Sequence, residues 1–456
     1  MHPDARSEAS ERKADALYRR VTLRLMPFLI ICYMFAIIDR LNIAMAKLQM
    51  LSSLGFSEAV YGLGAGVFFI GYLLFDVPSN LILHRVGARW WLGRIMITWG
   101  VVSAGTAFVE TPFWFYVFRF LLGLSEAGFF AGLVLYATYW FPAARRGRIY
   151  ALMVLAVPLA GVVGSPLAGW IMTHLDRAAG LDGWQWLFVI EGLPSVICGL
   201  LCLRMLDNGI GTASWLTPAE KATLQANLTL EDAEKPAARP SGFLTSPLVW
   251  LMCLICFAIS AGMYVVGFWL PSLIRAAGVQ SIEGVGLYSA IPWLVAILPL
   301  LLCGRSADIS GERRWHVAAA LIVCGAALAM STTGEGLTVA LVTLTIANCA
   351  VLVALAQFWN LPAAILAGYG AAGGIALINS IGNLAGFFSP SIIGAVKTAT
   401  GSTDAGILGV AAIIVLGGLL TLAIPRALVD GKRTAAAGPA RKLTGLPSYL
   451  PEGPTP

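Results

Sequence analysis

Residues 27–46 read PFLIICYMFAIIDRLNIAMA, and this stretch of 20 residues decides the fold. It has the length that a helix needs to cross a bilayer, and its only charged side chains are Asp39 and Arg40. A charge at the centre of a lipid-spanning helix costs at least about 2.5–3.5 kcal/mol on insertion scales, so such groups usually face a protein interior or a water-filled path. The stretch therefore predicts a transmembrane helix that contributes a charged pair to a functional site.

Similar apolar stretches recur along the whole chain of 456 residues, of which 58% are hydrophobic and only 12% are Asp, Glu, Lys or Arg. The mean hydropathy of +0.80 is far above that of a soluble enzyme. We therefore predict an all-α membrane protein with twelve transmembrane helices in two six-helix bundles. The predicted helices cover residues 21–45, 59–80, 90–108, 113–139, 149–172, 184–206, 248–270, 285–303, 315–332, 338–358, 372–396 and 404–425.

The same pattern divides the chain into five regions. They are a cytoplasmic N-terminal tail (1–20), an N-terminal six-helix bundle (21–206), a cytoplasmic linker (207–247), a C-terminal six-helix bundle (248–427) and a disordered cytoplasmic tail (428–456). Within the linker, Thr217 is predicted to cap a helix that begins at Pro218.

Basic residues predict the orientation in the membrane. Twelve spans with the N-terminus inside place 24 of the 30 Lys and Arg residues on the inner side and 4 on the outer side. Because Lys and Arg concentrate in cytoplasmic loops, both termini are predicted to be cytoplasmic, in a multi-pass protein of the cell (inner) membrane. The net charge of +6 is then a signal for insertion and for the lipid surface, and not for a nucleic-acid partner.

A weak internal repeat links the two halves. The loop after the second predicted helix reads RVGAR, and the loop after the eighth reads GRSADISGERR. Clustered Arg with Gly and Asp at equivalent inner positions predicts a gating latch, although positive-inside charge alone would also explain the pattern. The predicted gating residues are Arg85, Gly87, Arg89, Gly304, Asp308, Arg313 and Arg314.

A second pair of charges lies in the fourth predicted helix. Arg119 and Glu126 are seven residues apart, which puts them on one helix face with about 10.5 Å of rise between them. A guanidinium group suits carboxylate recognition because its fork matches two oxygens and stays charged, and a carboxyl group can carry a proton. The alternative is a buried ion-pair network that fixes the first helix against the fourth.

At these residues the chain resembles the major facilitator superfamily, and more narrowly its anion:cation symporter family, in the branch of tartrate, phthalate and sugar-acid transporters. The resemblance covers about residues 20–425. Two departures are Asp76, where this branch often has Glu, and Ala131, where Pro commonly follows the preceding Gly-Phe-Phe. The second departure leaves the bend of the fourth helix open. The matching stretches are DRLNIAMA (39–46), VPSNLIL (77–83), RVGAR (85–89), RFLLGLSEAGFF (119–130), WQWLFVIEGLP (184–194) and INSIGNLAGF (378–387).

The resemblance implies two bundles that rock about a central site. It implies proton-coupling roles for Asp39 and Glu126 and substrate-binding roles for Arg40 and Arg119. Tyr72 matches a position that lines the cavity in related transporters, although a buried tyrosine that only satisfies its hydroxyl is the alternative. Asn379 and Asn383, one turn apart, are predicted to hydrogen-bond the substrate, with interhelical packing as the alternative.

The predicted function is therefore proton-coupled symport of a small organic anion, such as a tartrate-like dicarboxylate, a phthalate-like aromatic acid or a sugar acid. The alternative is a proton-coupled exporter of drugs or metabolites. We expect no enzyme activity, since no nucleophile with its base is evident. The four histidines fall in tails or loops and the eight cysteines in apolar spans, so no metal site and no cofactor are predicted. The expected partners are the organic anion, the proton and the lipid bilayer, with no nucleic acid, and the expected functional unit is a monomer.

Overall fold

The computed structural model describes residues 3–234, 244–365 and 369–426, and all regular structure within these ranges is helical. Seventeen α-helices follow one another: α1 (Pro3–Leu54), α2 (Glu58–Val86), α3 (Ala88–Gly105), α4 (Pro112–Glu126), α5 (Phe129–Thr138), α6 (Ala143–Val154), α7 (Ala156–His174), α8 (Gly183–Met205), α9 (Pro218–Glu234), α10 (Pro247–Ala276), α11 (Ile282–Ser310), α12 (Arg314–Met330), α13 (Leu337–Phe358), α14 (Asn360–Ile365), α15 (Tyr369–Asn383), α16 (Ala385–Thr400) and α17 (Asp404–Leu422).

Each of the twelve predicted spans corresponds to one of these helices or to an adjoining pair. Ten stretches of the described chain are long and apolar enough to cross a membrane, and α3 and α12, of 18 and 17 residues, complete the set. The prediction of a twelve-helix membrane fold is confirmed. The predicted tail at 428–456 lies outside the described residues.

The structure differs from the sequence prediction at helix ends and at interruptions. Helix α1 begins at Pro3, so the predicted N-terminal tail is helical from that residue onward. Three predicted spans are each divided in two, after Glu126, at Leu155 and at Leu384. Such interruptions leave the apolar pattern unchanged, and hydropathy alone therefore does not detect them.

The interruption after Glu126 has a clear cause in Gly128. This residue has φ +82°, in the left-handed region that glycine adopts without the strain that a Cβ introduces. A Cβ added there would lie 2.3 Å from the Ser79 Oγ atom of α2. Gly128 therefore makes the bend of the fourth span. The sequence had not decided whether this span bends, because Ala131 stands where proline is common.

Capping residues define one end of the molecule, which we call the far end. The Ser57 Oγ atom accepts a hydrogen bond from Val60 N at the start of α2, and Thr111 caps α4 ahead of Pro112. Ser281 caps α11 in the same way. The opposite end carries α9 and is called the linker end. Short capped turns at the far end force successive spans to run antiparallel.

The two bundles meet mainly through α2 with α16, α7 with α11, and α1 with α10. At Gly62 of α2, an added Cβ would lie 2.4 Å from the Pro390 carbonyl oxygen of α16, so these backbones touch directly. Hydrogen bonds and an ion pair join the two bundles in the far-end half of the described structure and near its middle, as in Tyr61 Oη to Phe268 O at 2.8 Å. The structure is thus closed at the far end.

Helix α9 lies against the N-terminal bundle. The Glu220 N–H group donates to Thr217 Oγ1 at 3.3 Å, and the Thr217 N–H group donates to Glu220 Oε2 at 2.9 Å, which is the reciprocal capping box. The predicted cap at Thr217 is confirmed. Arg20 of α1 also donates to Glu220 at 2.7 Å. The hydrogen bond from the Thr217 backbone, with the nearby Arg20 charge, lowers the pKa of Glu220.

Candidate functional site

The centre of the N-terminal bundle holds an ion pair between Arg40 of α1 and Glu126 at the end of α4. The Glu126 side chain is only 3% exposed, and the Arg40 side chain is 16% exposed. The Arg40 guanidinium carbon lies 5.3 Å from the ring centre of Phe68 and 5.5 Å from that of Tyr72. Both rings can therefore stabilise the cation through their π faces, with Tyr72 at the position predicted to line the site.

Arg119 lies beside this pair and is fully buried. Its Nε atom donates to the Gly64 carbonyl oxygen at 3.2 Å, and its guanidinium carbon is 5.1 Å from the Phe68 ring centre. Within the described part of the chain, its two terminal nitrogens have no hydrogen-bond partner. Two guanidinium groups therefore lie close to the Phe68 ring, of which one is paired with a carboxylate and the other has donors to spare.

Asp39 lies apart from this cluster although it neighbours Arg40 in sequence. Its carboxylate accepts hydrogen bonds from Trp99 Nε1 at 2.9 Å, Ser103 Oγ at 3.1 Å and Ser195 Oγ at 2.6 Å. Consecutive residues of a helix point about 100° apart, so Asp39 faces α3 and α8 while Arg40 faces α4. Three of the four predicted charged residues are thus brought together, and the fourth binds α1 to two other helices.

The C-terminal bundle adds a chain of neutral polar groups. The Tyr264 hydroxyl of α10 donates to Asn383 Oδ1 at 2.8 Å, and Asn383 Nδ2 donates to Asn379 Oδ1 at 3.2 Å. The Tyr264 ring centre lies 4.4 Å from that of Phe69 in the N-terminal bundle, and its hydroxyl is within electrostatic range of Arg40. The predicted asparagines therefore lie together, and Tyr264 connects them to the group formed by Arg40, Glu126 and Arg119, which we call the arginine cluster. Its sequence signal, one aromatic residue in an apolar span, was too common to single it out.

Two of the predicted gating residues, Arg89 and Arg314, bind within their own bundles in this structure. Arg89 donates through Nε to the Leu203 carbonyl oxygen, and Gly87 turns the chain between α2 and α3 with φ +93°. Arg314 donates to the carbonyl oxygens of Leu422 and Ile424 at the end of α17. The remaining members are Arg85, which is exposed, Gly304, which lies within α11, Arg313, which follows that helix, and Asp308, whose side chain lies outside the described residues. A latch between these loops stays a prediction for another state of the protein.

A cluster that sequence reasoning missed joins the bundles at the far end. Glu58 contacts Lys47 Nζ of α1 at 2.7 Å and Lys397 Nζ of α16 at 2.6 Å. Lys47 is only 3% exposed, and its Nζ atom lies 3.7 Å from the ring centre of Trp269 in α10. We call Lys47, Glu58, Lys397 and Trp269 the far-end latch. In the sequence, these charges lie at the ends of spans, where charged residues need no special explanation.

The arginine cluster has a net positive charge that an anion would balance. Arg40 and Arg119 contribute two positive charges, and Glu126 contributes one negative charge when it is ionised. Protonation of Glu126 would release Arg40 from its partner and leave two guanidinium groups with free donors. A buried unpaired cation is costly, so such a site favours a ligand that supplies carboxylate oxygens.

Comparison with known proteins gives the same class throughout. The sequence profile of the Major Facilitator Superfamily matches residues 29–390. A putative metabolite transport protein, NicT, from Pseudomonas putida is 46% identical over 419 residues, which are 91% of this chain and 96% of the relative. A putative tartrate transporter from Agrobacterium vitis is 43% identical over 421 residues, 92% of this chain and 93% of the relative.

Two further likenesses bear on substrate and fold. A quinolone resistance transporter from Acinetobacter baumannii is 39% identical over 406 residues, 88% of this chain and 93% of the relative. The xylose transporter XylE from E. coli, solved in a partially occluded inward-open conformation, superimposes with a TM-score of 0.71 at 15% identity, covering 88% of this chain and 98% of that chain. At that identity the likeness is one of fold.

Proposed function

Because this chain belongs to the Major Facilitator Superfamily, we propose that it is a proton-coupled symporter that imports a small organic anion by alternating access. The superfamily and the relatives make the chain a multi-pass membrane transporter with a small-molecule substrate, and not an enzyme. The substrate class and the coupling ion form the proposal.

The observation that carries the proposal is the pair of unpartnered nitrogens of Arg119. A fully buried guanidinium group with two unused donors costs free energy unless a ligand pairs with it. Arg40, which also lies close to Phe68, offers a second guanidinium group whose partner Glu126 can be neutralised by a proton. Two guanidinium groups beside one ring suit a substrate with two carboxylates, or with one carboxylate and several hydroxyls.

The polar groups of the other bundle complete the proposed substrate site. The Tyr264 hydroxyl of α10 lies within electrostatic range of Arg40, and Asn383 and Asn379 of α15 extend the chain of donors and acceptors from it. Such groups can hydrogen-bond the hydroxyls of a tartrate-like or sugar-acid substrate. An anion bound by both bundles would favour the state in which the two bundles lie close together. Substrate binding is thereby coupled to the movement of the bundles in alternating access.

Proton coupling follows from the Arg40–Glu126 pair. When Glu126 binds a proton, Arg40 loses its carboxylate partner and can bind the substrate. When the substrate leaves, Arg40 attracts the Glu126 carboxylate again, and the proton is released. Asp39, which is held by three neutral donors, is the second proposed proton carrier.

The proposed setting is the inner membrane of a cell, with the linker end in the cytoplasm. The distribution of basic residues supports this orientation, since Arg85, Arg89 and Arg314 all lie at the linker end. Closure at the far end then corresponds to an inward-facing state. We propose a functional monomer, because both bundles of one chain surround the site.

The test is uptake of radiolabelled tartrate into proteoliposomes, with and without an inward proton gradient. The gradient should drive accumulation of tartrate or of a related carboxylate from a small panel. Glu126→Gln, which imitates the protonated acid, should still exchange substrate but should lose accumulation against a gradient, whereas Arg119→Ala should weaken exchange itself. Accumulation that ignores the proton gradient and follows sodium instead would contradict the proposed coupling ion.

A second candidate function is export of drugs or metabolites, which the name of the Acinetobacter baumannii relative favours. The two functions differ in substrate charge and in direction. Ciprofloxacin accumulation in everted vesicles, which corresponds to export from a cell, would support the exporter if it does not require Arg40.

A further inference from the structure

Another buried acid of the N-terminal bundle, Glu191, lies outside the arginine cluster. Glu191 of α8 is 3% exposed, and neither of its carboxyl oxygens has a hydrogen-bond partner within the described part of the chain. Asn42 of α1, also 3% exposed, is within interaction range of this carboxyl group, yet neither its amide nitrogen nor its amide oxygen is hydrogen-bonded there. Four buried polar atoms without partners in one place need an explanation.

Both side chains line one small cavity. Its volume is about 20 Å³, and its remaining walls are apolar or small residues of α1 and α7, including Leu41, Gly161 and Ser165. This volume is enough for a single water molecule, which needs roughly 10–15 Å³ of such space and two to four polar partners. Glu191 and Asn42 supply those partners, so the cavity is polar enough to hold water.

The groups that face Glu191 explain which form of the acid is stable. Asp39 is the titratable group within electrostatic range on α1, and it is an acid too. The cavity residues of α7 are Ala160, Gly161, Gly164, Ser165 and Ala168, and α3 contributes Trp99 and Ser103, which bind Asp39. None of these groups is a cation. An ionised Glu191 would therefore be buried without a counter-charge, whereas a neutral carboxyl group can donate to the amide oxygen of Asn42.

Glu191 and Asp39 form two successive levels of the contact between α1 and α8. Ser195, which donates to Asp39 at 2.6 Å, lies one turn after Glu191, and Asn42 lies one turn after Asp39. Since α8 runs away from the far end and α1 runs toward it, Glu191 and Asn42 form the level nearer the far end. A proton that enters from the far end meets Glu191 first.

The closure of the cavity depends on the other bundle. Trp293 of α11 lies directly against Gly161 in the cavity wall, and Gly286 of α11 packs on Ser165 and Gly169 of α7. These contacts belong to the interface that closes the far end. Separation of α11 from α7 would move Trp293 away from Gly161 and admit water to Glu191.

We propose that Glu191 and Asn42 form a proton-binding site that loads Asp39 from the far end and is closed by Trp293 in this state. A hydronium ion from the far end transfers a proton to a Glu191 carboxylate oxygen, forming its O–H bond, and leaves as water. The water in the cavity then takes that proton and transfers one of its own to the Asp39 carboxylate, and a second proton from the far end neutralises Glu191 again before the cavity closes. This inference rests on the proposed proton coupling and adds an entry site to it.

Infrared spectroscopy of the purified protein in lipid tests the site directly. The spectrum at neutral pH should contain the C=O band of a protonated carboxyl group that Glu191→Gln removes and that the matched control Glu335→Gln, at an exposed carboxyl of the far end, leaves in place. A band that survives Glu191→Gln unchanged would overturn the proposal. Should that variant not fold, Asn42→Ala decides, since loss of the amide must shift the band of a carboxyl group that it contacts and an unshifted band overturns the site.

Transport tests the loading step. The ratio of proton-driven uptake to substrate counterflow should fall about tenfold or more in Glu191→Gln, as expected for loss of a positioned proton-transfer group, and should not change in Glu335→Gln. A smaller fall refutes the loading role. If the wild-type protein itself shows no proton-driven uptake, the proposed function fails, and the infrared result still decides whether Glu191 binds a proton.

Discussion

Neutralising Glu58 should open the far end. The carboxylate bridges Lys47 and Lys397 at 2.7 and 2.6 Å, so Glu58→Gln removes one ion pair within the N-terminal bundle and one between the bundles. An exposed ion pair contributes about 0.2–1 kcal/mol and a charged hydrogen bond out of water about 1.5–3 kcal/mol. With the Glu58 side chain 22% exposed and that of Lys397 29% exposed, we expect the far-end-closed state to lose about 1–2 kcal/mol. That is a factor of about 5–30 in the ratio of closed to open protein.

The assay is electron–electron distance measurement between spin labels at Glu110 and Glu335, exposed residues at the far end of the two bundles, after replacement of the eight native cysteines. Glu58→Gln should move population from the short to the long distance. Asp404→Asn, which removes an exposed far-end carboxylate, is the matched control. Unchanged distances in Glu58→Gln, or an equal change in the control, would refute the role of the latch. Lys397→Gln should act in the same direction, and the double variant should add less than the sum of the two single changes.

Three further outcomes are expected. Arg40→Lys keeps the charge but loses the bidentate fork, so carboxylate uptake should fall at least about tenfold at equal protein amount, and wild-type uptake would count against recognition by this side chain. Gly128→Ala puts a residue with a Cβ in the left-handed region, at a cost of about 1–2 kcal/mol, and brings that Cβ against a neighbouring side chain, so the melting temperature in detergent should drop. The control Gly147→Ala should not lower the melting temperature, because an added Cβ there has nothing within 4 Å. Glu220→Gln should raise hydrogen exchange in α9 at neutral pH. Because the pKa of Glu220 is lowered, the wild-type cap should hold at neutral pH and should loosen only as the pH falls below the ordinary range of a glutamate. Equal hydrogen exchange in the variant and the wild type would show that the cap does not hold α9.

Hydropathy predicted the number and order of the spans, because an apolar stretch that crosses a membrane must pair its backbone polar groups within a helix. Their ends and breaks followed from other causes. Helix α1 continues to Pro3 because its polar first turns contain no helix-breaking signal after that proline, and Gly128 divides the fourth span through a backbone angle. Neither cause changes the mean hydropathy of a span-length stretch of sequence, so the hydropathy pattern that predicted the helices could not detect either of them.

The candidate site was predictable in its residues more than in its pairings. The spacing of Arg119 and Glu126 put them correctly on one helix face, but which arginine Glu126 would bind depended on how α1 rotates against α4. That rotation turned Arg40 toward Glu126 and Asp39 toward Ser195. The far-end latch was missed because its charges become neighbours only when α16 of the second bundle lies against α2.

The attachment of α9 has a consequence for the continuity of the polypeptide. Its described hydrogen bonds run to Tyr18 and Arg20, and the segment before it stacks Trp215 on Trp140, so every one of these contacts is with the first half of the chain. A break in the backbone after Glu234 would leave each fragment with its own six spans and would keep all of these α9 and Trp215 contacts within the first fragment. The two pieces, made as separate polypeptides in one cell, should associate through the α2–α16 and α7–α11 surfaces and reconstitute the transporter. The covalent link would then serve to make the two halves in equal amounts, and transport itself would not require it.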